Sequence, residues 1–143
     1  MPTRDKKPKK VALAETMAVI DIGSNSIRMM IGQALPDGRL EIIERLRRAV
    51  RLGQDVFRTG RVRAETMRSA VGILRDYRHV LNTYGVHRIR AVATSAVREA
   101  ANGDTFVDRA LMAAGLEVSV ISVTEEGRLT VSAVRKALGE KLL

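Results

Sequence analysis

Met17-Ala18-Val19-Ile20-Asp21-Ile22-Gly23-Ser24-Asn25-Ser26-Ile27-Arg28-Met29-Met30-Ile31 carries the decision about the fold. An apolar run from Met17 to Ile22 breaks into a small polar turn at Gly23 and resumes at Ser26, continuing to Leu35 with several Ile and Met residues. Runs of this length, bounded by turn residues, read as buried β-strands. Pro36-Asp37-Gly38 then combines a fixed φ, a side chain that bonds its own backbone and a residue tolerant of positive φ, which predicts a chain reversal. The third run, Leu40 to Val50, alternates poorly and carries Arg45, Arg47 and Arg48, as an edge strand or a strand with one wet face would.

Beyond this hairpin the period changes. Met67, Ala70, Val71, Leu74, Tyr77, Leu81 and Tyr84 recur every three or four positions, so Ala64 to Tyr84 reads as an amphipathic helix closed by Gly85. Val62 is placed to pack on Met67 as a staple, whereas Arg63 is a poor N-cap. Ile89 to Ala93 reads as a strand, and Thr94-Ser95 opens a short helical stretch through Arg98 that Asn102-Gly103 should terminate. Phe106, Val107, Ala110 and Leu111 form a further helical face ending near Gly115. Leu116 to Ile121 reads as the last strand, and Thr124 should cap a final helix that runs to about Leu138 and is closed by Gly139. The expected order is three strands, then helix, strand, helix, strand, helix. That predicts an α/β fold, a mixed five-stranded sheet with an N-terminal β-hairpin and helices on its faces.

The chain has 143 residues, no cysteine and a net charge of +9. Without cysteine there is neither a disulfide framework nor a thiolate metal site, and His79 and His87 are too few for a histidine-rich one. No stretch reaches the roughly 18 apolar residues a membrane span needs, and Glu15 interrupts the one N-terminal apolar segment. A cytoplasmic location without membrane association is expected. Arg4, Lys6, Lys7, Lys9 and Lys10 stand against Asp5 alone, and with Pro2 and Pro8 they make residues 1–16 read as a disordered basic tail ahead of a domain over 17–143. A tethering role toward polyanions is the alternative for the tail. Aromatic residues are only 3% of the chain, which leaves few stacking platforms and argues against specific nucleic-acid binding.

Three places carry candidate chemistry. In Asp21-Ile22-Gly23-Ser24-Asn25-Ser26, Gly23 permits close backbone approach, Ser24, Asn25 and Ser26 supply donors for phosphate, and Asp21 could hold a hydrated magnesium ion. A plain hairpin turn is the alternative. Thr94 and Ser95 with Arg98 sit where a strand meets a helix N-terminus, a place that attracts anions, and a guanidinium offers phosphate a planar fork. An arginine paired with Glu99 or Asp104 is the alternative. Glu125 and Glu126 open the last helix, where acidic residues commonly complement the helix dipole.

Taken together, the Asp21-to-Ser26 loop, Arg51-Leu52-Gly53, Thr59-Gly60-Arg61, Ala91-Val92-Ala93-Thr94-Ser95-Ala96-Val97-Arg98, Asn102-Gly103 and Glu125-Glu126-Gly127-Arg128-Leu129 resemble, in order, the signatures of the exopolyphosphatase and guanosine pentaphosphate phosphohydrolase family. The resemblance runs from about Ala18 to Leu138 and implies an N-terminal lobe of the ribonuclease H-like, actin-like ATPase type. It further implies that Arg98 grips a terminal phosphate and that Glu126 is the catalytic base. The implied substrates are polyphosphate or guanosine pentaphosphate, with Mg2+ as cofactor and a homodimer as the assembled form. A non-catalytic polyanion-binding module remains the alternative from another class. The family carries Gly-Glu-Glu-Glu where this chain has Val123-Thr124-Glu125-Glu126, and the family's second glycine-rich loop does not occur before Leu143. The resemblance therefore implies a C-terminal lobe, absent from this sequence, to complete the cleft.

Overall fold

A computed structural model of the chain describes residues 15–138, so most of the expected basic tail, and Gly139, lie outside the described residues. The strands are β1 (Glu15–Ile22), β2 (Ser26–Ala34), β3 (Leu40–Ala49), β4 (Arg88–Ala93) and β5 (Val118–Val120). The helices are α1 (Leu52–Thr59), α2 (Ala64–Thr83), α3 (Ser95–Glu99), α4 (Gly103–Ala114) and α5 (Val123–Leu138).

The strands form one five-stranded sheet in the order β3-β2-β1-β4-β5. β1, β2 and β3 form an antiparallel meander, whereas β4 lies parallel to β1 and β5 parallel to β4. This is the mixed sheet expected from the sequence, with β3 at its edge. The turn at Pro36 closes with hydrogen bonds from Gly38 N to the Leu35 carbonyl (2.9 Å) and from Leu35 N to the Arg39 carbonyl (2.8 Å).

Alternation along the strands sorts the residues onto two faces. Ala18, Ile20 and Ile22 of β1 share a face with Ile27, Met29 and Ile31 of β2, and all six are buried. They join one core with Met67, Ala70, Leu74, Tyr77 and Leu81 of α2 and Phe106, Ala110 and Ala114 of α4. Tyr77 is buried, and its hydroxyl donates to the Ile27 carbonyl at 2.6 Å, which satisfies the one polar atom it brings into the core. The opposite face is open at Val19 and Met30, which are 46% and 44% exposed.

Three expectations need correction. An additional helix, α1, lies between β3 and α2. Its Leu52 and Val56, four residues apart, are buried, but eight residues with an exposed Phe57 give too short a pattern to stand out. Asn102 does not end a helix. It precedes α4, and its side chain accepts a hydrogen bond from Val62 N (2.9 Å) and donates one to the Val62 carbonyl (2.8 Å), clamping the turn before α2. Thr124 is not the cap of α5. The helix begins at Val123, and the Ser122 hydroxyl accepts from Glu125 N at 3.1 Å, the geometry of an N-cap two residues earlier. Arg63 indeed provides no side-chain cap to α2. Asp55 of α1 substitutes from outside the helix, its buried carboxylate accepting from Arg63 N at 3.0 Å.

Candidate active site

β1 and β4 are parallel neighbours, so the residues following each strand emerge at the same end of the sheet. Ile22 pairs with Ala93, and Thr94 N donates to the Ile22 carbonyl at 3.2 Å, which extends the ladder one residue beyond β4. The two candidate phosphate loops therefore start side by side. The hydroxyls of Ser24 and Ser95 share a hydrogen bond of 2.9 Å.

The Ser24 loop is held from behind. Gly23 N donates to the Ser26 carbonyl (3.0 Å), Val50 N to the Asn25 carbonyl (3.0 Å) and Gly53 N to the Ser24 carbonyl (2.9 Å). Gly53 is required by this approach, because a Cβ at that position would lie 2.7 Å from Ser24 Cβ. Ser24 stays half-buried and Asn25 exposed, whereas Ser26 is buried at 5% and its hydroxyl takes a long hydrogen bond from Arg28 Nε. The loop thus turns Ser24 and Asn25 outward and Ser26 inward.

Arg98 stands on α3, one turn after Ser95, its N–H donating to the Thr94 carbonyl at 3.0 Å. Its Nη1 donates to the Ile121 carbonyl at 2.8 Å and to Glu126 Oε2 at 3.4 Å. Nε is closed off from solvent without a hydrogen-bond acceptor, and Glu99 approaches it only to ion-pair distance, 3.7 Å. The Arg98 side chain is 21% exposed, and that of Glu126 is 41% exposed. One arginine therefore ties the end of β5 to the first turn of α5 and brings Glu126 to the strand-end cluster.

Asp21 completes the group from β1. Its carboxyl is held above the ordinary aspartate range, chiefly because burial disfavours the charged form; Arg28 works against that shift and the Glu126 carboxylate adds to it. No group of three or more His, Cys, Asp or Glu suited to a metal occurs among the described residues. A divalent ion here would rest on Asp21 with water and phosphate oxygens, a donor set that suits magnesium.

Ser24 meets Ser95 and Arg98 meets Glu126, the two pairs being joined through α3, which carries both Ser95 and Arg98, and the Glu126 carboxylate adds to the raised pKa of Asp21. Thr94 and Gly23 contribute backbone at the strand ends. Other motifs in the resemblance have scaffold roles: Gly53 admits the loop, and Ala101 N donates to the Gly60 carbonyl at 2.8 Å beside the Asn102 clamp; Asp55, between those motifs, holds Arg63 N at the start of α2. Asp55 was not singled out from the sequence, although a lone acid eight residues before an uncapped helix start is a readable signal.

Residues 30–142 match the model of the Ppx/GppA phosphatase family. Exopolyphosphatase 2 of Mycobacterium tuberculosis strain H37Rv is 39% identical over 132 residues, which cover 87% of this chain and 40% of that protein. The chain thus spans about 40% of the length of the curated relatives it matches. The crystal structure of the Aquifex aeolicus Ppx/GppA family member aligns with a TM-score of 0.76 and 38% identity over 80% of this chain and 37% of that one. The crystal structure of an exopolyphosphatase from Cytophaga hutchinsonii aligns with a TM-score of 0.77 and 29% identity over 80% of this chain and 36% of that one. The fold is the actin-like ATPase type of lobe, and the chain belongs to the Ppx/GppA phosphatase family.

Proposed function

We propose that this chain forms one wall of a phosphohydrolase site that removes the terminal phosphate from inorganic polyphosphate. The observation that carries the reading is the convergence of two phosphate-type loops, joined by Ser24 and Ser95, with the Arg98–Glu126 pair at one end of parallel β1 and β4. Family membership and the 39% identical exopolyphosphatase relative support the choice of substrate class.

In this reading the hydroxyls of Ser24, Thr94 and Ser95, the Asn25 amide and their backbone N–H groups, with the Gly23 turn, cradle the terminal phosphoryl oxygens. Ser26, packed beneath, fixes the loop. Arg98 places its guanidinium on the same oxygens and stabilises the charge that builds on them. Glu126 orients a water in line with the bond to be broken and takes its proton as the water oxygen bonds to phosphorus. The bridging P–O bond breaks, orthophosphate departs, and the shortened chain keeps the bridging oxygen with its negative charge. Asp21 is the residue that would hold magnesium, which when bound neutralises phosphate charge. We further propose that the opposing wall comes from the part of the family's length that this chain does not span, so that the chain alone binds phosphate chains weakly and turns over little. Phosphoryl transfer depends on positioning and charge stabilisation, and one wall supplies half of each.

Calorimetric titration of the 143-residue chain with tripolyphosphate tests the binding half: Ser95→Ala and Arg98→Ala should each weaken it, and unchanged affinity in both would remove these loops from the site. The catalytic half is tested in a protein of full family length carrying this chain's residues. Glu126→Gln should lower magnesium-dependent phosphate release by a factor on the order of 100 to 10,000. Undiminished release would take the general base elsewhere.

A further inference from the structure

The outer surface of the helices carries three grooves that join end to end. The first, about 490 Å3, lies over α1 and is lined by Arg51, Arg58 and Arg63 together with Asp55 and Glu65. The second, about 430 Å3, shares Arg63 and Thr59 with the first and adds Arg61 and Arg109. The third, about 380 Å3 between α2 and α4, shares Arg109 with the second and adds Arg68 and Arg75. Shared lining residues make these one continuous trench. Its main walls, α2 and α4, cover the face of the sheet that carries Ile20 and Met29, whereas Arg90, which meets Glu125 of α5, stands on the other face.

Charge along the trench is one-sided. Asp55 and Glu65 line its first part, where Asp55 is already committed to Arg63 N, and among the described residues no Asp or Glu lines the second and third. The side chains of Arg58, Arg61, Arg63, Arg68, Arg75 and Arg109 have no ion-pair partner among the described residues. Cations gathered in this way repel one another and draw in a polyanion. The apolar lining asks for less. Val62, Met67 and Val71 are already buried, and Met112 is the one large exposed apolar side chain among the described residues lining the second and third grooves. Arginine suits such a wall, because its apolar stem lies along the surface and its planar fork matches phosphate oxygens.

Arg51 marks the end of the trench beside the candidate site. Val50 N and Gly53 N, on either side of it in the chain, donate to the Asn25 and Ser24 carbonyls, so the trench starts next to the first phosphate loop. From there α1, eight residues long, rises about 12 Å, and α2 rises about a further 16 Å between Ala64 and Arg75, at 1.5 Å per residue. We propose that the trench is a track for the distal part of a polyphosphate chain whose terminal phosphate sits at the Ser24 and Ser95 loops, an inference that rests on the polyphosphate reading of that site. The occupant is the remaining length of the substrate itself. A single-stranded nucleic acid would meet the same charge, but no Phe, Tyr or Trp lines the trench among the described residues, so its bases would find no stacking partner.

The test titrates the 143-residue chain with tripolyphosphate and with long-chain polyphosphate, following heat and the 13C-methyl signal of Met112. The long chain should shift Met112, and tripolyphosphate, too short to reach it from the loops, should not. Arg68→Ala, Arg75→Ala and Arg109→Ala combined, all at exposed positions, should weaken long-chain binding at least about tenfold and flatten its salt dependence, with tripolyphosphate affinity as in the parent. Arg75→Ala alone should give a smaller loss in the same direction, which keeps the result readable if the triple variant misfolds. Arg39→Ala, Arg45→Ala and Arg88→Ala combined remove the same charge from the strands and should cost much less. Equal losses in the two triple variants, an unmoved Met112 signal or unchanged long-chain affinity would overturn the proposal. A single-stranded RNA oligonucleotide that displaces the long chain at equal phosphate concentration would overturn it in favour of a general polyanion surface. Failure of the site reading looks different. In that case Ser95→Ala and Arg98→Ala leave tripolyphosphate affinity unchanged, whereas failure of the track alone leaves that affinity sensitive to them and long-chain affinity insensitive to the loss of Arg68, Arg75 and Arg109.

Discussion

The Ser24 and Ser95 hydroxyls meet at 2.9 Å although 71 residues separate them in the chain. The contact follows from the parallel register of β1 and β4, which delivers the two loops to the same end of the sheet. It is the only side-chain hydrogen bond joining the two loops among the described residues.

If that hydrogen bond couples the loops, Ser24→Ala and Ser95→Ala should each cost about 1 kcal/mol, and the double variant little more than either alone. Urea denaturation of the three variants measures this. Fully additive losses would show that each hydroxyl has a separate partner and that the loops are positioned independently.

Gly53 and Gly72 should respond in opposite directions to the same change. A methyl at Gly53 would collide with Ser24 Cβ at 2.7 Å, so Gly53→Ala should destabilise by roughly 1 to 3 kcal/mol and displace the Ser24 loop. A methyl at Gly72, inside α2, meets nothing within 4 Å, so Gly72→Ala should stabilise by up to about 1 kcal/mol. Thermal unfolding of both variants checks the pair, and equal effects would mean that α1 does not press on the loop.

Much of the fold was legible because strong local signals agreed. The two apolar runs around Gly23, the Pro36 turn and the spacing of Met67 through Leu81 each specify one element without help from the rest. What escaped depended on distant partners. α1 owes its place to Leu52 and Val56 entering the core and to the backbone bond between Gly53 and Ser24, neither of which has a local signature. Asn102-Gly103 reads locally as a helix stop, yet the Asn102 amide is committed to Val62, forty residues upstream. At the site, the residue types were readable, but the inward turn of Ser26 and the tie from Arg98 to the Ile121 carbonyl are products of packing.

Asp21 makes a pH-dependent prediction. Burial raises its pKa in the folded chain, so the ionised carboxylate is disfavoured there relative to the unfolded chain. This contribution to stability is therefore most favourable at pH values below the ordinary 3.8 and is lost as pH rises through the folded value. Asp21→Asn carries no such penalty and should be more stable than the parent at neutral pH, with the advantage vanishing in acid. Chemical denaturation at pH 7 and pH 3.5 measures the difference, and an advantage of equal size at both would assign it to packing. The same variant should lose magnesium-enhanced binding of tripolyphosphate.

Arg98 joins two tasks that one substitution can separate. Its Nη1 bonds to the Ile121 carbonyl and to Glu126 hold β5 against the start of α5, while the proposed role needs a planar guanidinium presented to phosphate. Lysine keeps the charge but has one nitrogen for both tasks, so Arg98→Lys should weaken tripolyphosphate binding about tenfold, near 1.4 kcal/mol. The amide of Glu126, which donates to the Ser122 carbonyl at 2.9 Å in the first turn of α5, should exchange with solvent faster in the variant. Faster exchange with unchanged affinity would make Arg98 a tether alone. Weaker binding with unchanged exchange would place its whole effect at the phosphate.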